Sequence, residues 1–194
     1  MPLTKKYLQL RNEIETCTQC RLHENRIHAV PGDGTLDAKI ILIGEAPGYR
    51  EDIKGLPFVG TAGKILDELL DIAGLSRNNV YITNLVKCRP PNNRPPKPDE
   101  LNICTGQYLE KQLKMFEPKV ICAMGNYASK YIMSRFSFEF SKIGMSHGKI
   151  CRKMGKNVIP LYHPAAVLHQ PPLRNVLKRD WRKMGRQIDK LGLR

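Results

Sequence analysis

Four short apolar runs, separated by stretches with helical periodicity, constrain the fold of this chain more than any other feature. The runs cover residues 39–44, 80–86, 119–125 and 157–162. Such a run, apolar on both faces, is typical of a buried strand in a parallel sheet. Helices are predicted over residues 3–16, 64–73, 98–116 and 126–133, and from Leu173 onward. The alternation predicts an α/β three-layer sandwich with a central, mainly parallel four-stranded sheet flanked by helices.

The length of the chain fits one such domain. At 194 residues it can bury a substantial core, and a single domain over residues 1–194 is predicted. The first residues lack a secretory hydrophobic segment, and no apolar run is long enough to cross a bilayer. We therefore expect a cytoplasmic protein with no membrane partner, and we expect a monomer.

Four of the cysteines are placed as the ligands of one metal centre would be. Cys17 and Cys20 form a C-x2-C knuckle, and Cys88 and Cys104 stand at the two ends of a proline-rich loop. Four thiolates suit either a structural zinc ion or an iron–sulfur cluster. The single knuckle favours a cluster, because zinc ribbons usually pair two knuckles, but the spacing leaves both metals open. A metal-cluster lobe built from residues 17–20 and 88–104 is predicted beside the sheet.

The alternative for these cysteines is a disulfide pair or a set of unrelated buried thiols. Cys122 and Cys151 are interpreted as cysteines of that second kind, because free cysteine commonly behaves as a small core hydrophobe. Cys122 lies inside the apolar run 120–124. In a cytosolic chain, thiols serve metals or chemistry more often than disulfides, which favours the metal centre for the other four.

The charge of the chain predicts a polyanionic partner. Lysine and arginine number 32 against 18 acidic residues, which gives a net charge of +14 and an isoelectric point near 9.7. Such an excess points most simply to nucleic acid. Many of the basic residues lie in the last predicted helix, where a solvated basic face is the alternative interpretation.

The residues that follow the predicted strands are candidates for ligand binding, since parallel sheets bind ligands at the carboxyl ends of their strands. The first strand runs into the turn 44–48, and Asn84 and His163 end two other strands. The glycines of the turn allow close approach of the backbone to a ligand. The turn lacks both the G-x-G-x-x-G of a dinucleotide site and the Lys-Ser/Thr of a P-loop.

Three side chains near these ends suit a nucleobase. Asn84 offers a donor and an acceptor to a base edge, and His163 can donate a hydrogen bond to developing negative charge. Phe58 lies in a glycine-bounded loop, from which an aromatic ring can stack on a base. Asn84 and His163 taken singly are more often structural than functional, and for Phe58 packing under the loop is an equally expected alternative. Together with a basic surface, they form a set that can hold an extruded base.

These motifs resemble those of the type-four uracil-DNA glycosylases, the thermostable iron–sulfur branch of the uracil-DNA glycosylase superfamily. The turn 44–48 is similar to the family's first motif and 163–166 to its second, and the stretches 55–60 and 83–91 also fit. The resemblance covers nearly the whole chain. By resemblance, Cys17, Cys20, Cys88 and Cys104 are the ligands of a [4Fe–4S] cluster, and the protein is thermophilic.

The resemblance implies a DNA-repair hydrolase that cleaves the N-glycosidic bond of uracil in DNA and so begins base-excision repair. The base must first leave the stack. Cleavage is then implied to pass through an oxocarbenium-like sugar, with uracil leaving as an anion. Uracil-containing DNA is the implied partner, which would associate the protein with the nucleoid, and a sliding-clamp contact is expected by analogy alone.

The resemblance also implies roles for individual residues. Phe58 would stack on uracil, Asn84 would read its edge, and Glu51 would help to exclude the methyl group of thymine. The amides of the first motif and His163 would bind the uracil oxygen where charge develops. The implied substrate-binding residues are Gly44, Pro47, Gly48, Glu51, Phe58 and Asn84, and the implied catalytic residues are Glu45, Ala46 and His163.

One position of the first motif differs from the ordinary uracil glycosylases, which carry an aspartate where this chain has Ala46. The type-four branch shares this substitution, and Glu45 is then the nearest carboxylate. We expect electrostatic stabilisation of the sugar cation and of the leaving uracil to supply most of the rate. The implied DNA contacts are Arg89 and Arg94 beside the cluster, Leu168 or Leu173 as a wedge in the vacated stack, and Arg174 on phosphate.

Two other functions compete with this prediction. A non-enzymatic, metal-containing nucleic-acid-binding module would explain the charge and the cysteines, but not the convergence of the first motif, Asn84 and His163 at strand ends. A glycosylase of the same fold with another preferred base, such as hypoxanthine or mismatched thymine, is the second alternative. Uracil release from an oligonucleotide would distinguish the predicted enzyme from a binding module. Substrate competition would distinguish it from a glycosylase with another preferred base.

Overall fold

The four predicted strands lie side by side at the centre of one sheet in a computed structural model, which describes residues 2–193. The two end residues of the predicted domain, Met1 and Arg194, lie outside the described residues. The strands are β1 Asp33–Gly34, β2 Ile40–Gly44, β3 Tyr81–Asn84, β4 Val120–Met124, β5 Cys151–Lys153 and β6 Lys156–Leu161. Their order across the sheet is β1-β3-β2-β4-β6-β5.

The central strands β3, β2, β4 and β6 are parallel, as predicted. Gly44 is in register with Asn84, and Met124 is in register with Leu161. The polar residues that follow these strands therefore meet at one edge of the sheet. The predicted fold class is confirmed in this respect.

The prediction of a four-stranded sheet is wrong, because the sheet has six strands and is mixed. The two additional strands are short: β1 has two residues and β5 has three. Each pairs antiparallel with an outer strand of the parallel set. Runs of this length contain too few residues to show the alternation by which a strand is found in sequence.

The predicted helices lie close to their predicted positions, and three short helices that were not predicted accompany them. The predicted helix 98–116 is one continuous segment with a π-helical turn at Thr105–Leu109, directly after Cys104. The helices are α1 Leu3–Glu15, α2 Tyr49–Lys54, α3 Thr61–Ile72, α4 Pro98–Cys104, α5 Glu110–Phe116, α6 Asn126–Arg135, α7 Ile143–Ser146, α8 Ala166–His169 and α9 Leu173–Lys190. None of the described helices is both long and apolar enough to cross a membrane.

Alternate residues of the strands point into two separate cores, which is why the strands are apolar on both faces. Ile40 and Leu42 pack with α3 and α9, in a core that also buries Trp181. Ile41 and Ile43 pack on the opposite face, against residues of α5 and α6. Helices thus cover both faces of the sheet. Cys122 is buried in the first of these cores, as predicted for a structural cysteine.

A third, smaller core lies beside the carboxyl ends of the strands, and we call it the cysteine core. It contains Cys88 and Cys104 and is built largely from α1, the segment after it and the α4 region. Cys17, Cys20 and Ala46 pack against it. Because Ala46 belongs to the first motif, the cysteine core directly supports the turn that follows β2.

Candidate active site

A cavity of about 410 Å³ opens where β2, β3 and β6 end. Most of the predicted catalytic and substrate-binding residues line it: Glu45, Ala46, Pro47, Gly48, Glu51, Phe58, Asn84 and His163. Arg94, predicted to contact DNA, also lies in its wall. Residues from four distant parts of the sequence therefore meet at one site, because the parallel strands deliver them to the same edge of the sheet.

Asn84 forms the deepest polar feature of this cavity. Its side chain is only 2% exposed, and Oδ1 has no hydrogen-bond partner among the described residues. A buried polar atom left unpaired costs about 1–3 kcal/mol. Such an atom, aimed into a cavity, is suited to a ligand that brings its own donor. Gly44 makes room for it, since a Cβ at Gly44 would overlap Oδ1.

Phe58 provides an aromatic surface beside Asn84. Its ring stacks against His163, with centroids 5.5 Å apart and an interplanar angle of 30°. The backbone of Phe58 has φ 52°, which a bulky residue rarely adopts and which must be held by its surroundings. Arg77 supplies part of that support, because its Nη2 donates to the Phe58 carbonyl at 2.6 Å and its Nη1 to the Pro57 carbonyl at 3.2 Å.

Glu51 holds the same loop from the other side. Its Oε1 accepts hydrogen bonds from the backbone N–H of Val59 and of Gly60, both at 2.8 Å. Gly48 allows this approach, because a Cβ there would lie 2.8 Å from Glu51 Oε2. The carboxylate of Glu51 thus clamps the loop that carries Phe58 to the first motif.

His163 faces the cavity as a neutral imidazole. Burial lowers the pKa of His163 to about 4, although the nearby charge of Glu51 acts in the opposite direction. Its Nδ1 lies 3.2 Å from the backbone N–H of Ala165, which donates to it. A ring nitrogen that accepts cannot carry the proton of the neutral ring, so the proton is assigned to Nε2. His163 can therefore donate one hydrogen bond without being charged.

The first motif is fixed by an extension of the sheet beyond its strands. The backbone N–H of Leu85 donates to the Gly44 carbonyl at 3.0 Å, and that of Val86 donates to the Glu45 carbonyl at 3.2 Å. The side chain of Glu45 is partly enclosed, and burial raises the pKa of its carboxyl group. A carboxyl group with a raised pKa in a cleft is a candidate for a catalytic role.

The three arginines predicted to contact DNA already have partners in the protein. Arg89 donates to Asn93 Oδ1 at 2.7 Å and lies over the Tyr49 ring. Arg94 forms two hydrogen bonds, at 2.8 and 2.7 Å, to the buried carboxylate of Glu100. Arg174 pairs with exposed Glu68 at 2.9 Å.

The two leucines offered as a wedge occupy different environments. Leu168, in α8, is 49% exposed, and the next residue, His169, lines the cavity. Leu173, at the start of α9, packs against the core that contains Trp181. Leu168 is therefore the more exposed of the two side chains and lies beside the cavity, whereas Leu173 is already packed against the core.

Cys17, Cys20, Cys88 and Cys104 line one enclosed cavity in the cysteine core, and all are free thiols. Three sulfurs accept hydrogen bonds: Cys88 from Arg26 Nη1 at 3.1 Å, Cys104 from the Lys87 N–H at 3.3 Å, and Cys17 from the Gln19 N–H at 3.5 Å. Burial raises the pKa of Cys88, and it raises the pKa of Cys104 to about 12. Within residues 2–193, no three histidine, cysteine or carboxylate side chains are grouped as closely as one metal ion requires.

Several residues of the site were missed by sequence reasoning. Ala62, Pro90, Asn93, Ala165 and His169 also line the cavity, and Arg77 and Lys87 support it from behind. Lys87 and Pro90 lie in the stretch 83–91 and Ala165 in the stretch 163–166, so motif resemblance could have identified these three residues. The other residues carry no pattern that marks them in the sequence.

Comparison with known proteins identifies relatives of the chain along most of its length. Residues 31–185 match the family described as the Uracil DNA glycosylase superfamily. The chain is 48% identical to the type-4 uracil-DNA glycosylase of Archaeoglobus fulgidus over 177 residues, which covers 89% of this chain and 88% of that protein. It is 44% identical to the Sulfurisphaera tokodaii protein of the same description, over 91% of this chain and 82% of that one. For the one from Thermotoga maritima the identity is 41%, over 92% and 93% respectively.

Proposed function

The chain belongs to the uracil DNA glycosylase superfamily, and we infer from this membership that it excises uracil from DNA and so initiates base-excision repair. The observation that carries this inference in the structure is the buried, unpartnered Oδ1 of Asn84 in a cavity with an aromatic wall. Uracil brings an N3–H donor to such an acceptor. Hydrolysis of the N-glycosidic bond is the reaction that the site supports.

Recognition of the base would use Asn84 and Phe58 together. The target nucleotide must leave the stack, which costs a few kcal/mol and costs least at a mismatch. Once in the cavity, the uracil ring would stack on Phe58, while Asn84 Oδ1 accepts from N3–H and the amide nitrogen donates to O4. The close packing of Gly44 against Asn84 and Phe58 supports selection of a flat ring with that pattern of donor and acceptor.

Bond cleavage would depend on stabilising two opposite charges. When the bond between C1′ and N1 breaks, its electron pair stays with uracil, and the negative charge spreads to O2. The Nε2–H of His163 would donate to that oxygen, and the amides of the first motif would add to the stabilisation. Water then adds to C1′, and the proton that it loses is taken up by the uracil anion, directly or through solvent, which leaves an abasic sugar and neutral uracil.

Glu45 is the carboxylate proposed to act on the sugar side of the reaction. Ala46 cannot position water or stabilise a cation, so Glu45 is the acidic group of the first motif that remains in the cavity wall. An ionised Glu45 would stabilise the positive charge that develops on the sugar. We assign it this electrostatic role and a share in orienting the attacking water.

Glu51 is proposed to act through the loop that it clamps. Its two hydrogen bonds fix Val59 and Gly60, and they thereby fix the Phe58 ring next to them. The tight wall so formed supports the exclusion of the thymine methyl group. In this proposal Glu51 is a positioning residue rather than a proton donor.

DNA would approach the edge of the sheet on which the cavity opens. We propose that Leu168 fills the gap left by the extruded nucleotide, because it is exposed next to the cavity. Arg89, Arg94 and Arg174 remain proposed phosphate contacts, and each would have to share or exchange its present partner. A cytoplasmic location beside the chromosome is proposed from the DNA substrate, whereas the monomeric state and the clamp contact remain predictions that no observation tests.

The four cysteines of the cysteine core are proposed to bind a [4Fe–4S] cluster. Their free thiols share one enclosed cavity, and N–H donors reach three of the sulfurs, which is typical of the surroundings that tune such clusters. Four cysteines around one enclosed cavity match the four thiolate ligands by which such a cluster is held. When bound, such a cluster supplies a covalent cross-link between chain segments and a centre for one-electron transfer.

The test is release of uracil from an oligonucleotide with a single uracil, by protein whose visible absorption has been recorded. Release by the wild type, together with a loss of about 100-fold in the single-turnover rate of Asn84→Ala, would support the proposal. Asn175→Ala, an exposed asparagine of α9, is the matched control. Absence of uracil release by protein that has kept its cluster absorption would refute the activity.

A further inference from the structure

Lys87 is a lysine buried at 1% exposure, and the reaction described above does not use it. Its ammonium donates to three oxygens: Thr83 Oγ1 at 2.6 Å, the Asn84 carbonyl at 2.8 Å and Gln112 Oε1 at 2.7 Å. All three acceptors are uncharged. Lysine is almost never fully buried unless it is paired, because removing its charge from water is costly. A lysine that is buried without a charged partner is therefore expected to have a role in the site that it contacts.

The contact with Asn84 places Lys87 directly behind the base-reading side chain. The bond from Nζ to the Asn84 carbonyl closes the turn between the end of β3 and Cys88. The backbone N–H of Lys87 also donates to Cys104 Sγ at 3.3 Å. One residue therefore ties the backbone of Asn84 to the cysteine core.

The other two acceptors of the ammonium are themselves fixed. Gln112 Nε2 donates to the Pro31 carbonyl at 2.8 Å, and Thr83 Oγ1 donates to the same carbonyl at 2.9 Å. Gln112 Nε2 also reaches the Tyr81 hydroxyl at 3.1 Å. The ammonium is thus held by a closed network anchored in β3, α5 and the segment before β1. A fully satisfied network of this kind rigidifies the part of the core that it occupies.

We propose that Lys87 is a positioning residue for uracil recognition, which holds the end of β3 so that Asn84 presents its unpaired Oδ1 at a fixed point. The proposal rests on the proposed function of the cavity. The direction of the Asn84 side chain is set by its backbone, and the Lys87 bond fixes that backbone at the carbonyl. Misplacement of a recognition group by about 1 Å is enough to lower a rate about 100-fold.

The test compares Lys87→Met with the wild type and with Lys130→Met, an exposed lysine of α6. Methionine keeps the apolar length of the side chain and removes its three donors. Four quantities are measured: the single-turnover excision rate at saturating DNA, inhibition by free uracil, binding of a duplex that already carries an abasic site, and visible absorption per protein. Only the excision rate and the inhibition by free uracil depend on contact between a base and Asn84.

We expect Lys87→Met to lose about tenfold or more in rate and to require about tenfold more uracil for inhibition, since it removes a charge-assisted hydrogen bond to the Asn84 carbonyl. Binding of the abasic duplex and absorption per protein should stay within about twofold of the wild type, because neither depends on Asn84. A role in general stability would instead lower all four readouts together. That result, or unchanged inhibition by uracil, would overturn the proposal.

Thr83→Val keeps Lys87 and removes one of its three acceptors, so it answers the question if Lys87→Met does not fold. It should show the same pattern with a smaller loss, about threefold, since one neutral hydrogen bond is removed. Unchanged uracil inhibition in Thr83→Val would then overturn the proposal. If the wild type itself releases no uracil, the proposed function fails, whereas an active wild type with an unaffected Lys87→Met refutes only the role of Lys87.

Discussion

Gly44 lies so close to Asn84 that a Cβ at position 44 would overlap the unpaired Oδ1, and it would come within 2.8 Å of Phe58 Cζ. Gly44→Ala should therefore displace both side chains that contact the base and lower the single-turnover rate about 100-fold. Gly106→Ala is the matched control, because nothing lies within 4 Å of its added Cβ. A Gly44→Ala protein that excised uracil at the wild-type rate would show that the cavity is not the site of the base.

The clamp made by Glu51 predicts a difference between two substitutions. Glu51→Ala removes the acceptor of the Val59 and Gly60 N–H groups, so the Phe58 loop should loosen, and the excision rate should fall about tenfold or more. Glu51→Gln keeps an oxygen in the same place and should stay much closer to the wild type. Single-turnover rates of the two variants check this, and equal losses would assign the effect to the charge instead.

The lowered pKa of His163 predicts a pH profile without a histidine step. Since the folded pKa is about 4, the imidazole stays neutral and able to donate from Nε2 throughout the neutral range. His163 should therefore contribute no step to the single-turnover rate between pH 5.5 and 8, although an unperturbed histidine titrates near pH 6.5. His169→Gln is the control for the second histidine of the cavity.

The same shift predicts how His163 affects stability. The unfolded chain binds a proton at this histidine below about pH 6.5, whereas the folded chain resists protonation until about pH 4. The contribution to the free energy of unfolding is full above about pH 6.5 and is lost as the pH falls toward 4. Denaturant titrations of His163→Ala and wild type should converge as the pH is lowered through this window, and a constant difference would contradict the assignment.

Leu168 and Leu173 should respond differently to truncation. Leu168→Ala should lower the excision rate and the affinity for duplex DNA while leaving the unfolding free energy unchanged, because the side chain is exposed beside the cavity. Leu173→Ala should reduce the unfolding free energy by about 2 kcal/mol, because that side chain packs against the core. Denaturant unfolding and excision from duplex DNA, measured on both variants, separate the roles. The reverse pattern would assign the wedge to Leu173.

Loss of one cysteine of the cysteine core should remove the metal. Cys88→Ser is expected to lose its visible absorption and its bound iron, and to lower the unfolding free energy by about 3 kcal/mol or more, as removal of a long-range cross-link does. Cys151→Ser is the control, because Cys151 lies in β5, away from the cysteine core. Full retention of iron by Cys88→Ser would exclude Cys88 from the ligand set.

The sequence predicted the architecture well where the apolar pattern is long enough to be unambiguous. The runs that became β2, β3, β4 and β6 are fully or almost fully buried, and their parallel pairing placed Gly44, Asn84 and His163 at one edge as expected. The strands β1 and β5 and the helices α2, α7 and α8 escaped prediction, because each is too short to show a repeating apolar pattern in the sequence.

The residues of the site were predictable from the sequence, but the neighbours that hold them in place were not. Motif resemblance identified Asn84, Phe58 and His163. The positive φ of Phe58 and the tautomer of His163, however, are set by residues that are neighbours only in the folded structure. The bond of Glu51 to the Phe58 loop and the bond of Lys87 to Asn84 join residues of ordinary types. No sequence pattern marks such pairs, since hydrogen bonds of side chains to backbone depend on loop conformations.

The two edge strands, β1 and β5, affect how the molecule behaves when it is heated. An exposed long edge strand offers unpaired backbone groups to another chain and is a route to aggregation. Here each edge ends in a strand of only two or three residues, and β5 carries Arg152 and Lys153. Like charges of this kind repel a second copy of the same edge. The sheet therefore exposes few unpaired backbone groups to other, partly unfolded copies of the chain. This favours recovery of the native fold on cooling.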